Sequence, residues 1–230
     1  MLSIIIPTLN EEHVIATTHQ ALTRLEGSVE LIYVDGGSQD STLRILREQG
    51  AHIIKSQQGR GIQMHAGTLV ATGAVFWFLH ADSIPPRDGA EQIANALRDT
   101  QVVGGNFSVR FDGERLAARF LTWLYPRLGK LGLCYGDSGI FVRRNAYESA
   151  GGFKPFPIFE DLDLVQRLRR IGSLVNIPAI VLTSSRRFET HSFALTFLRW
   201  SILQLLYWLG VSPIRLAGKY QPVRVPQKNQ

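Results

Sequence analysis

Four apolar runs, SIIIP, ELIYVD, HIIK and VFWFL, are spaced through the first hundred residues, separated by longer amphipathic stretches at about 12–25, 40–49 and 62–71. Strands that alternate with helices pair in parallel through right-handed crossovers, and a sheet covered on both faces needs strands that are continuously apolar. The rhythm therefore predicts an α/β fold with a mostly parallel open sheet flanked by helices. Ligands of such sheets bind outside the carboxyl ends of the strands, near the topological switch point. Those ends read Pro7-Thr8-Leu9-Asn10-Glu11, Asp35-Gly36-Gly37-Ser38 and His80-Ala81-Asp82, polar and acidic in each case.

The second half is less regular. It reads as a strand at about 102–111, a helix at about 115–124, the segment GDSGIFVRR, a helix over EDLDLVQRLRRIG, short strands near 174–184 and an aromatic C-terminal helix. With 230 residues, 45% hydrophobic and 19% charged, the chain can bury one substantial core. A formal charge of +6 would attract phosphate-bearing small molecules, nucleic acid or anionic lipid headgroups. The single cysteine, Cys134, excludes an internal disulfide framework and a Cys-based zinc site, reads as a small core residue, and fits a reducing cytosol. The start, LSIIIPTLN, carries no basic leader, and the most apolar stretch, 193–211, is broken by Arg199. A cytoplasmic location is expected, with the inner membrane face as the alternative.

Three motifs carry possible chemistry. In YVDGGSQDST, Asp35 ends a strand and can accept hydrogen bonds from a base N–H or a ribose hydroxyl. Turn chemistry explains the same residues, with Ser38, Asp40 and Ser41 as candidate helix caps. Neither G-x-G-x-x-G after the first strand nor G-x-x-x-x-G-K-[ST] is present, which argues against a Rossmann dinucleotide site and a P-loop. In LHADSIPP, Asp82 offers a hard oxygen to a divalent cation that substrate phosphates would complete, and His80, two residues earlier on a strand-like segment, would share its side and suit Mn2+. Taken in isolation, the tripeptide reads first as a satisfied turn aspartate. FEDLDLVQRLRRIG begins with Glu160, Asp161 and Asp163 and ends with Arg167, Arg169 and Arg170, as the helix macrodipole favours, and Asp163 with Arg167 has i,i+4 spacing.

Taken in order, SIIIPTLNEE, VDGGSQDST, GRGIQMHAGTLVATG, FLHADSIPP, GDSGIFVRR and FEDLDLVQRLRRIG resemble the family 2 glycosyltransferases of the GT-A fold. The phrase from Gly59 to Pro85, TSSRRFE and LYWLGVSPIRLAGKY look more narrowly like a short bacterial subgroup associated with radical-SAM or selenodomain proteins, some of them with arsenosugar synthesis. The resemblance implies a single domain, 1–230, with a nucleotide-binding half (1–100), an acceptor and catalytic half (101–190) and a C-terminal helical segment (191–230). It implies that Pro7, Thr8, Asn10, Glu11, Asp35, Arg60 and Ala81 bind the nucleotide. Asp82, with His80 where the family usually has an acid, would hold Mn2+ or Mg2+. Gly136, Asp137 and Ser138 would lie near the donor sugar, and Arg186 and Arg187 would clamp the diphosphate. His191 more simply reads as structural than as a further ligand. Asp161 would be the general base of an inverting displacement, supported by Glu160. The donor would be a nucleoside-diphosphate sugar, UDP- ahead of GDP-, and the acceptor a hydroxyl of unknown parentage.

Two other functions compete. A sugar-1-phosphate nucleotidyltransferase would want a Gly-rich basic loop where this chain has PTLNEE. A noncatalytic nucleotide-binding module fits the charge, but no aromatic-basic motif of an RNA reader appears, so nucleic acid is not an expected partner. The C-terminal helix, with Phe193, Phe197, Trp200, Leu203, Tyr207 and Trp208, is apolar on too much of its circumference for a one-sided surface helix. Core packing or a homodimer interface, and a position on an anionic membrane beside Arg199, Arg215 and Lys219, are equally compatible with it.

Overall fold

The structure, a computed structural model, describes residues 1–113, 119–120, 122–124, 136–184 and 193–218. The first half follows the predicted alternation: β1 (Leu2–Thr8), α1 (Ile15–Thr23), β2 (Val29–Asp35), α2 (Thr42–Glu48), β3 (Ile53–Lys55), α3 (Arg60–Val70) and β4 (Val75–Phe78). There follow β5 (Ser83–Ile84), α4 (Gly89–Ala96), β6 (Val102–Phe111), a 3-10 turn (Gly136–Ser138), β7 (Phe141–Arg143), α5 (Arg144–Ser149), α6 (Glu160–Leu168), β8 (Ser173–Thr183), α7 (Phe193–Trp208) and α8 (Pro213–Ala217). Of the segment expected as a helix at 115–124, residues 119–120 and 122–124 are helical, while the other half, together with Cys134, lies outside the described residues.

All eight strands join one sheet in the order β3-β2-β1-β4-β7-β6-β8-β5. Strands β3, β2, β1 and β4 run parallel, as their helical crossovers require. Strand β7 enters antiparallel between β4 and β6, and β8 pairs parallel with β6. The segment expected as short strands near 174–184 is one strand with a register shift, in which Phe107 and Ser108 face Ile177 and Ile180. Pro178, which has no N–H for the ladder, sits in that irregularity.

Alternate residues of the central strands enter different cores. Ile4, Ile6, Trp77 and Leu79 pack on one face with Leu22, Tyr33, Phe107 and Phe141. Ile5, Phe76 and Phe78 pack on the other with Ile32, Val34, Tyr147 and Leu164. This two-sided burial is what the continuous apolar runs encode. On the second face α3 lies directly on the sheet: a Cβ at Gly67 would stand 2.4 Å from Ile5 Cγ2 and 3.1 Å from Val34 Cγ2. That approach sets the start of α3, with Arg60 and Gln63, at the carboxyl rim of β1 and β2.

Helix propensity alone favours alanine over glycine by about 1 kcal/mol. At Gly67 the overpacking opposes it and wins, so Gly67→Ala should destabilise the fold by about 1–3 kcal/mol in urea unfolding.

Candidate active site

Because β1, β2 and β4 are parallel, their carboxyl ends open on one rim, where a cavity of about 610 Å³ lies. That volume is within the ~300–1,000 Å³ usual for small-molecule sites. Pro7, Thr8, Leu9 and Glu11 line it from the exit of β1, Gln58, Gly59, Arg60 and Gln63 from the start of α3, and His80, Ala81 and Asp82 from the exit of β4. The opposite wall is Pro157, Ile158, Phe159, Glu160 and Asp161, closed by Trp200 and Ala217 of the C-terminal helices.

The rim is built by side chains that satisfy loop backbone. The Asp35 carboxylate accepts the Gly37 N–H at 2.9 Å and the Ser38 N–H at 3.1 Å, fixing the turn after β2. Asn10, at φ 56°, accepts the Gln39 N–H on Oδ1 and gives its own N–H to Ser38 Oγ. The Glu11 N–H goes to Thr42 Oγ1 and the Glu12 N–H to Asp40 Oδ2, while Glu12 Oε2 accepts the Ser41 N–H. Asn10 and Asp35 are thus absent from the cavity lining and stand behind it. Of the three candidate caps, Ser41 makes no side-chain cap bond, whereas Asp40 Oδ1 accepts the Thr42 N–H. Gln63 ties the rim together from inside: its Nε2 donates to Thr8 O at 3.0 Å and Val34 O at 2.7 Å. Periodicity places Gln63 on α3 but gives no sign of those two carbonyls, and Gln58, Pro157, Ile158 and Trp200 likewise carried no chemical signal in the sequence.

His80 and Asp82 both line the cavity, though not through strand alternation. The chain turns there, with the Ser83 N–H bonded to His80 O at 3.0 Å, and both side chains arrive from the turn. His80 Nδ1 lies 2.8 Å from Asp137 Oδ1, and its Nε2 is buried with no hydrogen-bond partner among the described residues. An Nδ1–H donated to a carboxylate leaves the lone pair on Nε2, the arrangement found in metal-ligating histidines. No three His, Cys, Asp or Glu side chains among the described residues form a cation cage by themselves. A cation held through one or two protein groups and completed by substrate phosphates and water is compatible with that, so the donor set of Asp82 and His80 fits.

Glu160 and Asp161 open α6. The residue before them, Phe159, adopts a left-handed conformation at φ 61°, an unusual geometry for a bulky side chain that the surroundings must hold. They do so with aromatic contacts: its ring stacks on Tyr207 at 5.1 Å and meets Trp200 edge-on at 5.8 Å. Asp161 Oδ2 accepts the Gly136 N–H at 2.6 Å, and Arg60 Nη1 stands 3.6 Å from Glu160 Oε1. Burial pushes both carboxyls above the ordinary carboxylate range. Arg60 opposes this in Glu160 while the Asp161 charge adds to it, and the Gly136 N–H and Arg60 oppose it in Asp161. A Cβ at Gly136 would stand 3.0 Å from His80 Nε2 and 3.4 Å from Asp161 Oδ2, so glycine there lets β4's histidine and α6's aspartate approach one turn.

Of the other expected residues, Gly136, Asp137 and Ser138 form the layer behind His80 and Asp161 and do not line the cavity. Asp163 is committed to Lys154 and Arg167, so of the three acids that open α6 only Glu160 and Asp161 line the cavity. Arg143 donates to Val102 O and Leu97 O, and Arg144 to Gly73 O and Ala71 O, so both bind backbone away from the site. Arg186, Arg187 and His191 lie outside the described residues.

A parallel half-sheet whose rim carries an acid-lined cavity, continued by a mixed second half, is the arrangement of the GT-A fold. Two solved structures share it. One is the mannosyltransferase PcManGT from Pyrobaculum calidifontis in complex with GDP-Man and Mn2+, with TM-score 0.67, 18% identity and coverage of 98% of this chain and 65% of that one. The other is the glucosyl-3-phosphoglycerate synthase from Mycobacterium tuberculosis with Mn2+ and UDP-glucose, with TM-score 0.63, 22% identity and coverage of 92% and 79%. Residues 3–147 match the model of glycosyl transferase family 2, and the chain belongs to that family. A relative, the PGL/p-HBAD biosynthesis glycosyltransferase of Mycobacterium bovis, is 32% identical over an alignment of 165 residues that covers 66% of this chain. The aligned region spans 63% of that relative's length.

The raised carboxyls carry a stability consequence. With the folded-state value of Asp161 above the ordinary 3.8, the native state favours the protonated acid, and ionisation lowers stability as pH rises through that window. Asparagine removes the charge but has one oxygen where Asp161 accepts two N–H groups, those of Gly136 and Leu162. The melting temperature of Asp161→Asn relative to the parent should therefore rise from about pH 4 to about pH 8, as read by thermal unfolding across pH.

Proposed function

We propose that this chain is an inverting, metal-dependent glycosyltransferase that moves a sugar from a nucleoside-diphosphate sugar to an acceptor hydroxyl. The observation that carries the reading is one cavity lined both by Asp161, a carboxyl raised by burial, and by Asp82 at the exit of a nucleotide-type sheet. A carboxyl raised above its usual range is a stronger base when ionised, as proton abstraction from an alcohol requires. Asp161 takes the hydroxyl proton as that oxygen attacks the anomeric carbon, and the bond to the diphosphate breaks with its electron pair leaving on the diphosphate. One displacement inverts the configuration and needs one base, not the two carboxylates of a hydrolase.

Glu160 holds Arg60 at the cavity wall, where the guanidinium faces the nucleotide's base or diphosphate. Asp82 and His80 Nε2 are the groups that would hold Mn2+ or Mg2+, the imidazole favouring Mn2+, and the bound cation supplies positive charge against the departing diphosphate. Pro7, Thr8, Glu11 and Ala81 form the nucleotide's floor, with Asn10 and Asp35 fixing the loops around it. Arg186 and Arg187 are assigned to the diphosphate by the resemblance, Gly136 and Asp137 serve the sugar side only through Asp161 and His80, which they hold from behind, and UDP is favoured over GDP. Neighbours of the same fold are bound to Mn2+ with UDP-glucose or with GDP-Man, which supports a nucleoside-diphosphate sugar and a divalent cation without choosing the base. The rival, nucleotidyl transfer, is disfavoured by the β1 exit, where Glu11 and Glu12 are tied to Thr42, Asp40 and Ser41 rather than presenting a basic loop.

The test is incubation with Mn2+ and a panel of UDP-, GDP- and TDP-sugars, with and without acceptor extract, following nucleoside diphosphate release. Diphosphate release with at least one donor is expected, whereas pyrophosphate formation, or no release from folded protein with any donor, overturns the reading. Asp161→Asn should lower turnover by about 100-fold or more while leaving donor binding nearly intact. Asp82→Ala should weaken both turnover and Mn2+-dependent donor binding, by isothermal titration.

A further inference from the structure

Helices α7 and α8 present two unlike faces. Inward, Trp200, Leu203, Leu206, Tyr207 and Leu216 pack on Ile158, Phe159 and Leu162. Outward, Leu198, Ile202, Leu205 and Leu209 follow one another at spacings of four, three and four, which aligns them in a single stripe. They are 57%, 49%, 53% and 72% exposed, and Trp208 and Ile214 nearby are 52% and 67% exposed. Single exposed leucines need no explanation, but a continuous stripe of this kind marks an interaction surface.

Charge identifies the occupant. From residue 190 to 230 the sequence holds five basic residues, Arg199, Arg215, Lys219, Arg224 and Lys228, and no Asp or Glu, so this end carries nearly all of the net +6. Arg199 on α7 and Arg215 on α8 are both exposed. A second copy of the chain would set two all-cationic ends against each other. Nucleic acid would match the charge and leave the leucines in water. No helix among the described residues is long and apolar enough to cross a membrane. We propose that α7 and α8 lie flat on an anionic phospholipid surface, the stripe in the acyl boundary and the arginines among the phosphates. Trp200 and Ala217, on the same helices, line the cavity, so this docking holds the cavity wall against the bilayer. The proposal stands on the helices alone and does not require the catalytic reading.

The test is flotation of the full chain with vesicles of phosphatidylcholine alone and of phosphatidylcholine mixed with phosphatidylglycerol, alongside light scattering. At low salt the chain should float with the mixed vesicles at least about tenfold more than with neutral ones, and added salt should weaken this. Leu205→Glu combined with Leu209→Glu, both at exposed positions, should abolish flotation while melting temperature and solution mass stay unchanged. Wild-type protein that fails to float with the mixed vesicles overturns the proposal, whatever the variant does. A dimer that the double variant disperses, without flotation, assigns the stripe to a second copy instead. A chain that shifts duplex DNA but does not float assigns the charge to nucleic acid. Either result also overturns it.

Discussion

Two carboxylic acids on consecutive residues, Glu160 and Asp161, sit together at the cavity wall, and burying such a pair is costly unless other groups compensate. Much of the surrounding structure does that. The Gly136 N–H reaches Asp161, Arg60 reaches Glu160, and both acids stand in the first turn of α6, where the helix dipole favours negative charge. The compensation is partial, which leaves the carboxyls above their ordinary range and suits proton abstraction. Each compensating group comes from a different part of the chain, so the site exists only when α3, α6 and the turn at Gly136 are all in place.

The sheet supplies the second constraint. Parallel strands put every useful chain exit on one side, but exits are loops, and loop backbone needs partners. Asn10, Glu12, Ser38, Asp40 and Thr42 provide them by bonding the loops after β1 and β2 to each other, and Asp35 by closing its own turn. Gln63 then fastens both strand ends to α3. A polar rim of this density reads in the sequence as a set of ligands. A share of it is scaffolding that keeps Thr8, Glu11 and Arg60 in place.

The parallel half was legible because its signals are local and strong: continuous β-branched runs, helical spacing between them, and turn residues at the joins. The placement of β7 between β4 and β6 was not, since three residues, Phe141–Arg143, carry no periodicity that could reveal their neighbours. The short helices Gly89–Ala96 and Arg144–Ser149 also escaped, having little length over which an amphipathic period could register. For the site, Asp82, Arg60, Glu160 and Asp161 were marked by motif and do line one cavity. Asp35 was marked equally and its carboxylate faces the Gly37 and Ser38 amides, because a carboxylate two residues before a glycine can be taken by its own turn. Trp200 and Ala217 were invisible as site residues, since only the folding back of the C-terminal helices brings them to the cavity.

Strand β6 ends at Phe111, pinned through its N–H to Thr122 Oγ1, and the chain is pinned again at Gly136 by Asp161. Asp161 thus has a second part in the structure: besides facing the cavity it holds the Gly136 turn against α6, and a Cβ on that same glycine would stand 3.0 Å from His80 Nε2. A displacement of α6 would be felt at the histidine through this one turn, so the acid and the exit of β4 keep their separation only together.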